Sequence, residues 1–454
     1  MNDESNQRHY DPVLRRTLQL VCKDWQRTMN DAALWNDLDL RIAPPEHDAD
    51  AHTPVSLAVV DATLRRARSW LRPAAHALIS LDISVAPCVE EEAAELCGRI
   101  FTFLSAYRFK ALSVATRIPS ILDLNEYAGS LFTVETLSLT ASTPSTHSIR
   151  IISHRLPFSS LKSLALDVHI GNTYEDLLPI FPWNRLLSLH LSVTRNLKTV
   201  ADILRQCPSL LECIISIKQG PTTFIALGDI NFPCLKHLTI DNEVITPVTQ
   251  AIVQSVVAPK LESLVLHCRY PNSIPIAEAV EAMARKSGFQ DGLQKLVIRN
   301  FRGVMCCPGK TLLKFLPSLR DLKVSGRAVI DRDVLPLLGN GSLVPQLEKI
   351  SFSKCGIRPD DLLEMTENRQ KNANKEGSQN LDIVTSFTHV SFHCHHSRVT
   401  DDHLRRRDQL RETYRFHMTL TGGSTDALDS DGIEDDSDEA DVVSEDESSG
   451  DELE

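Results

Sequence analysis

The 454-residue sequence contains no run of about 18 consecutive apolar residues, the minimum for a helix that crosses a membrane. Its first residues, MNDESNQRHYDP, lack the apolar segment of a secretory signal peptide. The eleven cysteines are odd in number and irregularly spaced, so they do not suggest a disulfide framework. We therefore expect a protein with free thiols, located in the cytoplasm, the nucleus or both.

Motifs that carry catalytic or cofactor chemistry are also missing. The sequence has no G-x-S-x-G, H-E-x-x-H or G-x-G-x-x-G segment. Gly303 and Gly309 are separated by five residues, one more than the spacing of a phosphate-binding loop. The His-Cys-His-His cluster at 393–396 would alternate between the two faces of a strand, which would split a zinc site. We predict no catalytic residue, no cofactor and no metal.

Positive charge is absent from the C-terminal segment 426–454, which contains fifteen carboxylates, no lysine or arginine and no aromatic residue. The formal net charge of −12 comes from this segment, because the rest of the chain has 45 acidic and 48 basic residues. Such a composition predicts disorder in the segment. Aromatic residues make up only 6% of the chain, and its nearly neutral remainder does not suggest a nucleic-acid-binding surface.

The most informative pattern is an apolar template, L-x-x-L-x-L with other apolar residues allowed, that recurs twelve times. Most successive copies begin 24 to 28 residues apart. Five copies have proline two residues before the first template position, where it ends a preceding helix. Stretches with helical spacing lie between copies at 197–206, 276–288 and 360–370. The copies are Leu78-Leu81-Ile83, Phe109-Leu112-Val114, Val134-Leu137-Leu139, Leu161-Leu164-Leu166, Leu186-Leu189-Leu191, Leu210-Cys213-Ile215, Leu235-Leu238-Ile240, Leu261-Leu264-Leu266, Leu293-Leu296-Ile298, Leu319-Leu322-Val324, Leu347-Ile350-Phe352 and Phe387-Val390-Phe392.

This pattern predicts the fold class. One strand and one helix cannot bury their apolar faces alone, so consecutive units stack and share a core. The last two template residues face that core, and the residues that alternate with them face outward. The units resemble leucine-rich repeats, and 347–357 matches the long form L-x-x-L-x-L-x-x-C-x-I in full. The resemblance implies an α/β horseshoe-shaped solenoid. The alternative is an ordinary α/β domain with repeated strands.

The first forty residues are similar to the second half of an F-box, a small helical module. The similarity rests on the helix-start signal Asp-Pro at 11–12, the Val-Cys-Lys-Asp-Trp run at 21–25 and the Leu-Trp pair at 34–35. The usual Leu-Pro-x-Glu opening has no counterpart here, so we expect either a gene model that begins late or weakened docking. The alternative is a segment that only caps the solenoid. The matching residues are Leu14, Leu18, Val21, Cys22, Trp25, Leu34 and Trp35.

The F-box resemblance implies that these residues bind the SKP-type adaptor of a cullin-type ubiquitin ligase, while the repeats hold a protein substrate. The helix-like TLRRARSWLRP at 63–73, followed by irregular repeats, resembles large fungal F-box-like families. We therefore expect a non-enzymatic substrate-recognition subunit, with neither nucleic acid nor membrane as a partner. The alternative is a stand-alone leucine-rich repeat scaffold without a ligase role. The implied organisation is a partial F-box-like segment at 1–45, a connecting helix at 46–75, the solenoid at 76–400, a basic helix or linker at 401–420 and the disordered acidic tail at 421–454.

On the concave face, the outward residues gain lysine and arginine toward the C-terminus. The acidic tail motivates a hypothesis, in which it folds back on these basic residues and competes with an acidic substrate. Phosphorylation of Ser444 or Ser448, each followed by an acid three residues later, would add negative charge. The alternative is a tail that only aids solubility. The predicted substrate-binding residues are His190, Ser192, His237, Thr239, His267, Lys295, Arg299, Lys323 and Lys349.

Overall fold

The computed structural model describes residues 36–44, 53–74, 76–141, 158–168, 180–193, 197–218, 227–242, 248–268, 276–300, 305–306, 309–326, 328–329, 333–374, 384–394 and 399–422. Within these ranges the chain forms a mixed α/β fold with one parallel sheet of fourteen strands, which confirms the predicted α/β class. The strands follow one another across the sheet in chain order, and the sheet does not close on itself. They are β1 Asp37–Ile42, β2 Leu78–Val85, β3 Arg108–Thr116, β4 Thr136–Ala141, β5 Ser163–Val168, β6 Ser188–Val193, β7 Glu212–Ile217, β8 His237–Asn242, β9 Ser263–Cys268, β10 Lys295–Asn300, β11 Asp321–Ser325, β12 Lys349–Ser353, β13 His389–Cys394 and β14 His417–Gly422.

The template residues form continuous buried files across this sheet. Leu164 pairs with Leu137 on one side and with Leu189 on the other, and Leu264 pairs with Leu238. Each of these five side chains is at most 1% exposed. Because neighbouring strands stay in register, residues of one parity face the core in every strand and residues of the other parity face away from it. One hydrophobic cluster includes these files and the buried faces of the helices.

Helices and short turns connect the strands. The described α-helices are α1 Leu57–Leu71, α2 Ala93–Leu104, α3 Leu197–Arg205, α4 Val248–Ser255, α5 Ile276–Ser287, α6 Lys310–Lys314, α7 Val334–Gly339, α8 Pro359–Ala373 and α9 Asp401–Tyr414. Short 3₁₀ helices occur at Arg72–Ala74, Glu90–Glu92, Pro119–Leu122, Leu124–Leu131 and Trp183–Arg185. Two small parallel pairs join Ile230–Asn231 to Val256–Val257 and Met305–Cys306 to Ala328–Val329. None of the described helices has the length and apolar character needed to cross a membrane.

The prolines that precede the templates lie at turns that end the connections. Pro208, Pro233, Pro259, Pro317 and Pro345 each occupy the first position of a two-residue turn just before a strand. Proline cannot donate a backbone hydrogen bond, so a helix does not continue through this point. The fixed position of the turn sets where the next strand begins and keeps its leucines in the buried files.

The sheet extends beyond the predicted repeat region at 76–400. At one end, β1 pairs with β2 and places Leu38 and Leu40 in the buried files. At the other end, β14 pairs with β13 and adds Met418 and Leu420. The sequence pattern alone places both stretches in flanking segments, because each shows only a short alternation of apolar residues that is also compatible with a loop or a linker.

The first copy of the template contains one irregularity. Its first residue, Leu78, is 41% exposed, because β2 alternates regularly and buries Ile79, Leu81 and Ile83. The register between β2 and β3 shifts between Ile79 and Ser80, where β3 contains one additional residue, Lys110. This bulge lets both Phe109 and Leu112 face the core although they are three residues apart.

A fully buried arginine joins α8 to the neighbouring units. The guanidinium of Arg369 is inaccessible to solvent and lies over the ring of Phe387, 5.3 Å from its centroid. Burial lowers the pKa of Arg369 to about 10. Its N–H groups donate to five backbone carbonyls, so the charge is stabilised by peptide dipoles. The acceptors are the carbonyl oxygens of Thr385 at 2.7 Å, Leu338 at 3.0 Å, Val344 at 3.1 Å, Pro345 at 2.6 Å and Leu347 at 3.2 Å.

Candidate functional site

The candidate site is the face of the parallel sheet that points away from the hydrophobic core, hereafter the exposed face. In β1 and in β4 to β14 it consists of the first, third and fifth residues of each strand, which form rows 1, 2 and 3 across the sheet. The register keeps each row continuous, as in row 2, where Val265 pairs with Thr239 and Val297. Most residues in the rows are half-buried or exposed and polar. With strands about 4.8 Å apart, the rows extend over roughly 60 Å.

All nine predicted substrate-binding residues lie on this face. Eight of them are half-buried or exposed. Ser192 is the exception, because it is only 2% exposed and offers a ligand little surface. The sequence pattern could not foresee this, since the template predicts the direction of a side chain and not what covers it. Row 1 contains His237, Lys295 and Lys349, row 2 contains His190, Thr239 and Lys323, and row 3 contains Ser192, His267 and Arg299.

In the central part of the exposed face, several polar side chains form hydrogen bonds and ion pairs with one another. The Lys218 ammonium donates to both carboxylate oxygens of Asp167, at 2.6 and 2.8 Å. The His190 Nε2 atom is hydrogen-bonded to the Ser216 hydroxyl at 3.1 Å. Burial lowers the pKa of His190, and the carboxylates of Asp167 and Asp241 oppose this effect. The rows of β5 to β9 contain the carboxylates of Asp167, Glu212 and Asp241, and Lys218 pairs with Asp167, so this region is polar with an excess of negative charge.

The N-terminal end of the face is acidic. Asp37 and Asp39 project from β1 and Asp82 from β2, with Arg41 as the cation of β1. Loss of hydration raises the pKa of Asp82, and the nearby Asp39 carboxylate raises it further, while a hydrogen bond from Ser113 lowers it. Like charges on adjacent strands repel each other, which makes this end a poor surface for an acidic ligand.

The C-terminal end is basic. We define the basic patch as Lys295, Arg299, Lys323 and Lys349, which lie on the three consecutive strands β10, β11 and β12. Arg299, Lys323 and Lys349 are exposed and Lys295 is half-buried. Asp321 lies between Lys295 and Lys349 in row 1, and its carboxylate is 3.8 Å from the Lys323 ammonium. Among the described residues, no other carboxylate forms an ion pair with the patch.

Three histidines continue the exposed face beyond the basic patch. The rings of His389 and His417 stack with centroids 4.6 Å apart, in row 1 next to Lys349. Burial lowers the pKa of His389, and His417, Lys323 and Lys349 lower it further, against an opposing effect of Asp321. His393 lies in row 3 and is hydrogen-bonded through Nδ1 to the Thr421 hydroxyl at 2.8 Å. The sequence pattern predicts no binding role for these histidines, because His389 and His393 suggest only a zinc site, which the alternation of the strand would split. The alternation in HMTLTG at 417–422 is a signal for the last strand.

Among the described residues, the thiol and imidazole groups of β13 do not form a reactive cluster. His393 and Cys394 point to opposite faces of β13, as their alternating burial indicates. Burial raises the pKa of Cys394 to about 11, and that of Cys207 and Cys355 to about 12, so their thiols stay protonated near neutral pH. Within the described ranges, no group of three or more His, Cys, Asp or Glu side chains is arranged to hold a metal ion.

Several predicted residues lie outside the described part of the chain. They are the F-box-like residues Leu14, Leu18, Val21, Cys22, Trp25, Leu34 and Trp35, the histidines at 395 and 396, and the phosphorylation candidates Ser444 and Ser448. No known protein-family model matches the sequence, and no curated protein matches it.

Proposed function

We propose that the chain is a leucine-rich repeat protein that binds a protein partner through the exposed face of its sheet. The observation that carries this proposal is the match between sequence units of 24 to 28 residues and single strands that stack in register. Strands pack about 4.8 Å apart, whereas helices on the opposite side need about 10 Å. Stacked units of this kind therefore curve into a horseshoe, and the exposed face becomes its concave surface.

The composition of the face favours a protein or peptide over a small molecule. Its rows contain polar and charged side chains spread over roughly 60 Å of open surface. Small ligands prefer a concave, mostly apolar pocket that covers most of their surface. An extended polar surface instead suits a partner that makes many hydrogen bonds and ion pairs along its length.

We further propose that the protein presents its partner to a cullin-type ubiquitin ligase as a substrate-recognition subunit. This step rests on the F-box resemblance of residues 11–40, whose end runs directly into β1. Such an arrangement would attach the adaptor-binding segment to the edge of the sheet and leave the exposed face open for substrate. Seven cysteines in the described part of the chain have free thiols, which agrees with a function in the cytoplasm or nucleus.

The ligase role can be tested by measuring binding of the full chain to a purified SKP-type adaptor. We expect a complex on size-exclusion chromatography, and at least about tenfold weaker binding for Leu18→Glu combined with Trp25→Glu, because buried apolar anchors dominate interfaces. Lys295→Glu combined with Lys349→Glu is the control and should bind the adaptor normally. No complex with the full chain would support the alternative, a stand-alone scaffold that uses only its exposed face.

A further inference from the structure

The basic patch has excess positive charge that its neighbours do not neutralise. Four cations on three adjacent strands face one carboxylate, that of Asp321. In the described part of the chain, Lys295, Arg299 and Lys349 have no carboxylate partner. Like charges about 5 to 10 Å apart on one face repel each other, and only a mobile counter-ion or an acidic ligand removes that repulsion. The patch therefore favours an anionic segment.

The chain itself supplies such a segment. Residues 426–454 contain fifteen carboxylates and no lysine or arginine. They also contain no aromatic residue and few large apolar ones, so their attraction to a surface is chiefly electrostatic. The other large charged area on the exposed face, around Asp37, Asp39 and Asp82, has the same sign as this segment and would repel it.

The topology places the start of this segment at the end of the sheet that contains the basic patch. β14 ends at Gly422, four strand positions from β10 and two from β12. Those strands are about 10 to 19 Å from the end of β14. Asp426 is the first acid after Gly422, and four residues span up to about 13 Å. The acidic segment is therefore long enough to reach every member of the basic patch without leaving the exposed face.

We propose that residues 426–454 bind to the basic patch of the same chain and occupy the C-terminal part of the exposed face. Attachment to the sheet gives the segment an effective concentration in the millimolar range, so individually weak ion pairs suffice for substantial occupancy. An acidic partner must displace the segment before it contacts Lys323 and Lys349. The proposal does not depend on the ligase role, because the patch and the segment belong to one chain.

Zero-length carbodiimide cross-linking of the full chain tests this proposal, since it joins a lysine amine to a carboxylate in direct contact. The sample is an equal mixture of ¹⁵N-labelled and unlabelled chain at low concentration, analysed by peptide mass spectrometry. We expect cross-links from Lys295, Lys323 and Lys349 to residues 426–454, within chains of one isotope. Raising the NaCl concentration from about 50 to about 500 mM should reduce their yield several-fold.

The decisive variant is Lys323→Glu combined with Lys349→Glu, with the cross-link at the unchanged Lys295 as readout. Its yield should fall at least about fivefold, because two attractive charges become repulsive. Arg66→Glu combined with Arg68→Glu, on the exposed side of α1, makes the same charge change away from the patch and should leave the yield unchanged. An unchanged Lys295 yield in the patch variant, mixed-isotope cross-links that approach half of the total, or equal reaction with lysines elsewhere would overturn the proposal.

Discussion

Among the polar residues in the C-terminal half of the described structure, Arg369 should cause the largest loss of stability when it is replaced. Replacement by methionine tests whether its hydrogen bonds to buried carbonyls are the reason. The guanidinium makes five hydrogen bonds to backbone carbonyls between Leu338 and Thr385. Methionine retains an unbranched apolar side chain but has no donor and does not reach as far as the guanidinium. The carbonyls belong to the backbone, so the substitution cannot remove them and leaves them without a partner in a buried site. This differs from replacing both members of a buried ion pair, which is often neutral.

The expected loss of stability in Arg369→Met is the difference between opposing contributions. A hydrogen bond from a charged donor contributes about 1.5 to 3 kcal/mol. The three acceptors of Nη2 share its two hydrogens, so the equivalent of about four full bonds contributes roughly 6 to 12 kcal/mol. Burial of the charge opposes this, because the pKa falls from 12.5 to about 10, which corresponds to roughly 3 kcal/mol. Immobilising the long side chain costs about 2 kcal/mol more. Local relaxation and water recover part of the loss, and we expect Arg369→Met to destabilise the protein by about 4 kcal/mol.

Hydrogen exchange measured by mass spectrometry is a suitable assay, because an array of stacked units need not unfold in a single step. Amides in 334–350 and 384–394 should lose up to about a thousandfold in protection, which corresponds to about 4 kcal/mol. The protection of Arg369→Lys should lie between that of Arg369→Met and that of the unmodified protein, because one ammonium has three donors for five carbonyls. Arg405→Met is the matched control, because Arg405 is 79% exposed, and it should change protection little. If Arg369→Met were as protected as the unmodified protein, this account of the buried arginine would be wrong.

Three further predictions concern the core, a turn and the pH dependence. Leu238→Ala should lower the free energy of unfolding by about 2 to 5 kcal/mol in urea titrations, whereas Thr239→Ala, on the exposed face, should change it by less than about 0.5 kcal/mol. Gly341 has a φ of +79°, and an added Cβ would lie 2.5 Å from a valine side chain, so Gly341→Ala should lower the melting temperature by several degrees. Acidification from pH 7.5 to 5.5 should lower the urea midpoint, because His190 and His389 have lowered pKa values and the unfolded chain protonates first. Their contribution to stability is present above about pH 6.5 and is lost below it, so His190→Gln combined with His389→Gln should flatten this slope. An unchanged slope in that double variant would contradict the assignment.

The sequence predicts the repeated part of the fold well for a physical reason. A template such as Leu161-Leu164-Leu166 specifies the strand, its buried side and its register at once, because units of nearly equal length leave each strand one favourable alignment. The template does not predict where the backbone departs from regular geometry. The bulge in β3 adds Lys110 between the buried Phe109 and Leu112, and nothing in the local apolar pattern indicates it.

The sequence pattern does not predict features that depend on contacts between distant segments. Arg369 occurs in a helical stretch with many polar residues, where an arginine is normally solvated. Its buried role exists only because carbonyls from 338–347 and Thr385 converge on it. The same limit applies to Ser192, which the alternation predicts to face outward but which is only 2% exposed.

The charge distribution of the exposed face depends both on the local sequence pattern and on contacts between distant segments. Single residues such as Lys295 and Lys349 were predictable as outward-facing, but their meaning depends on which residues the sheet places beside them. The in-register stack puts Asp321 between these two lysines and His389 beside Lys349, and it puts the acidic strands β1 and β2 at the opposite end. A strand order that follows the chain thus converts a gradual change in composition along the sequence into a spatial gradient of charge. An acidic partner that approaches this face is attracted to the end where the chain's own acidic segment begins, which is why the two must compete for the same lysines.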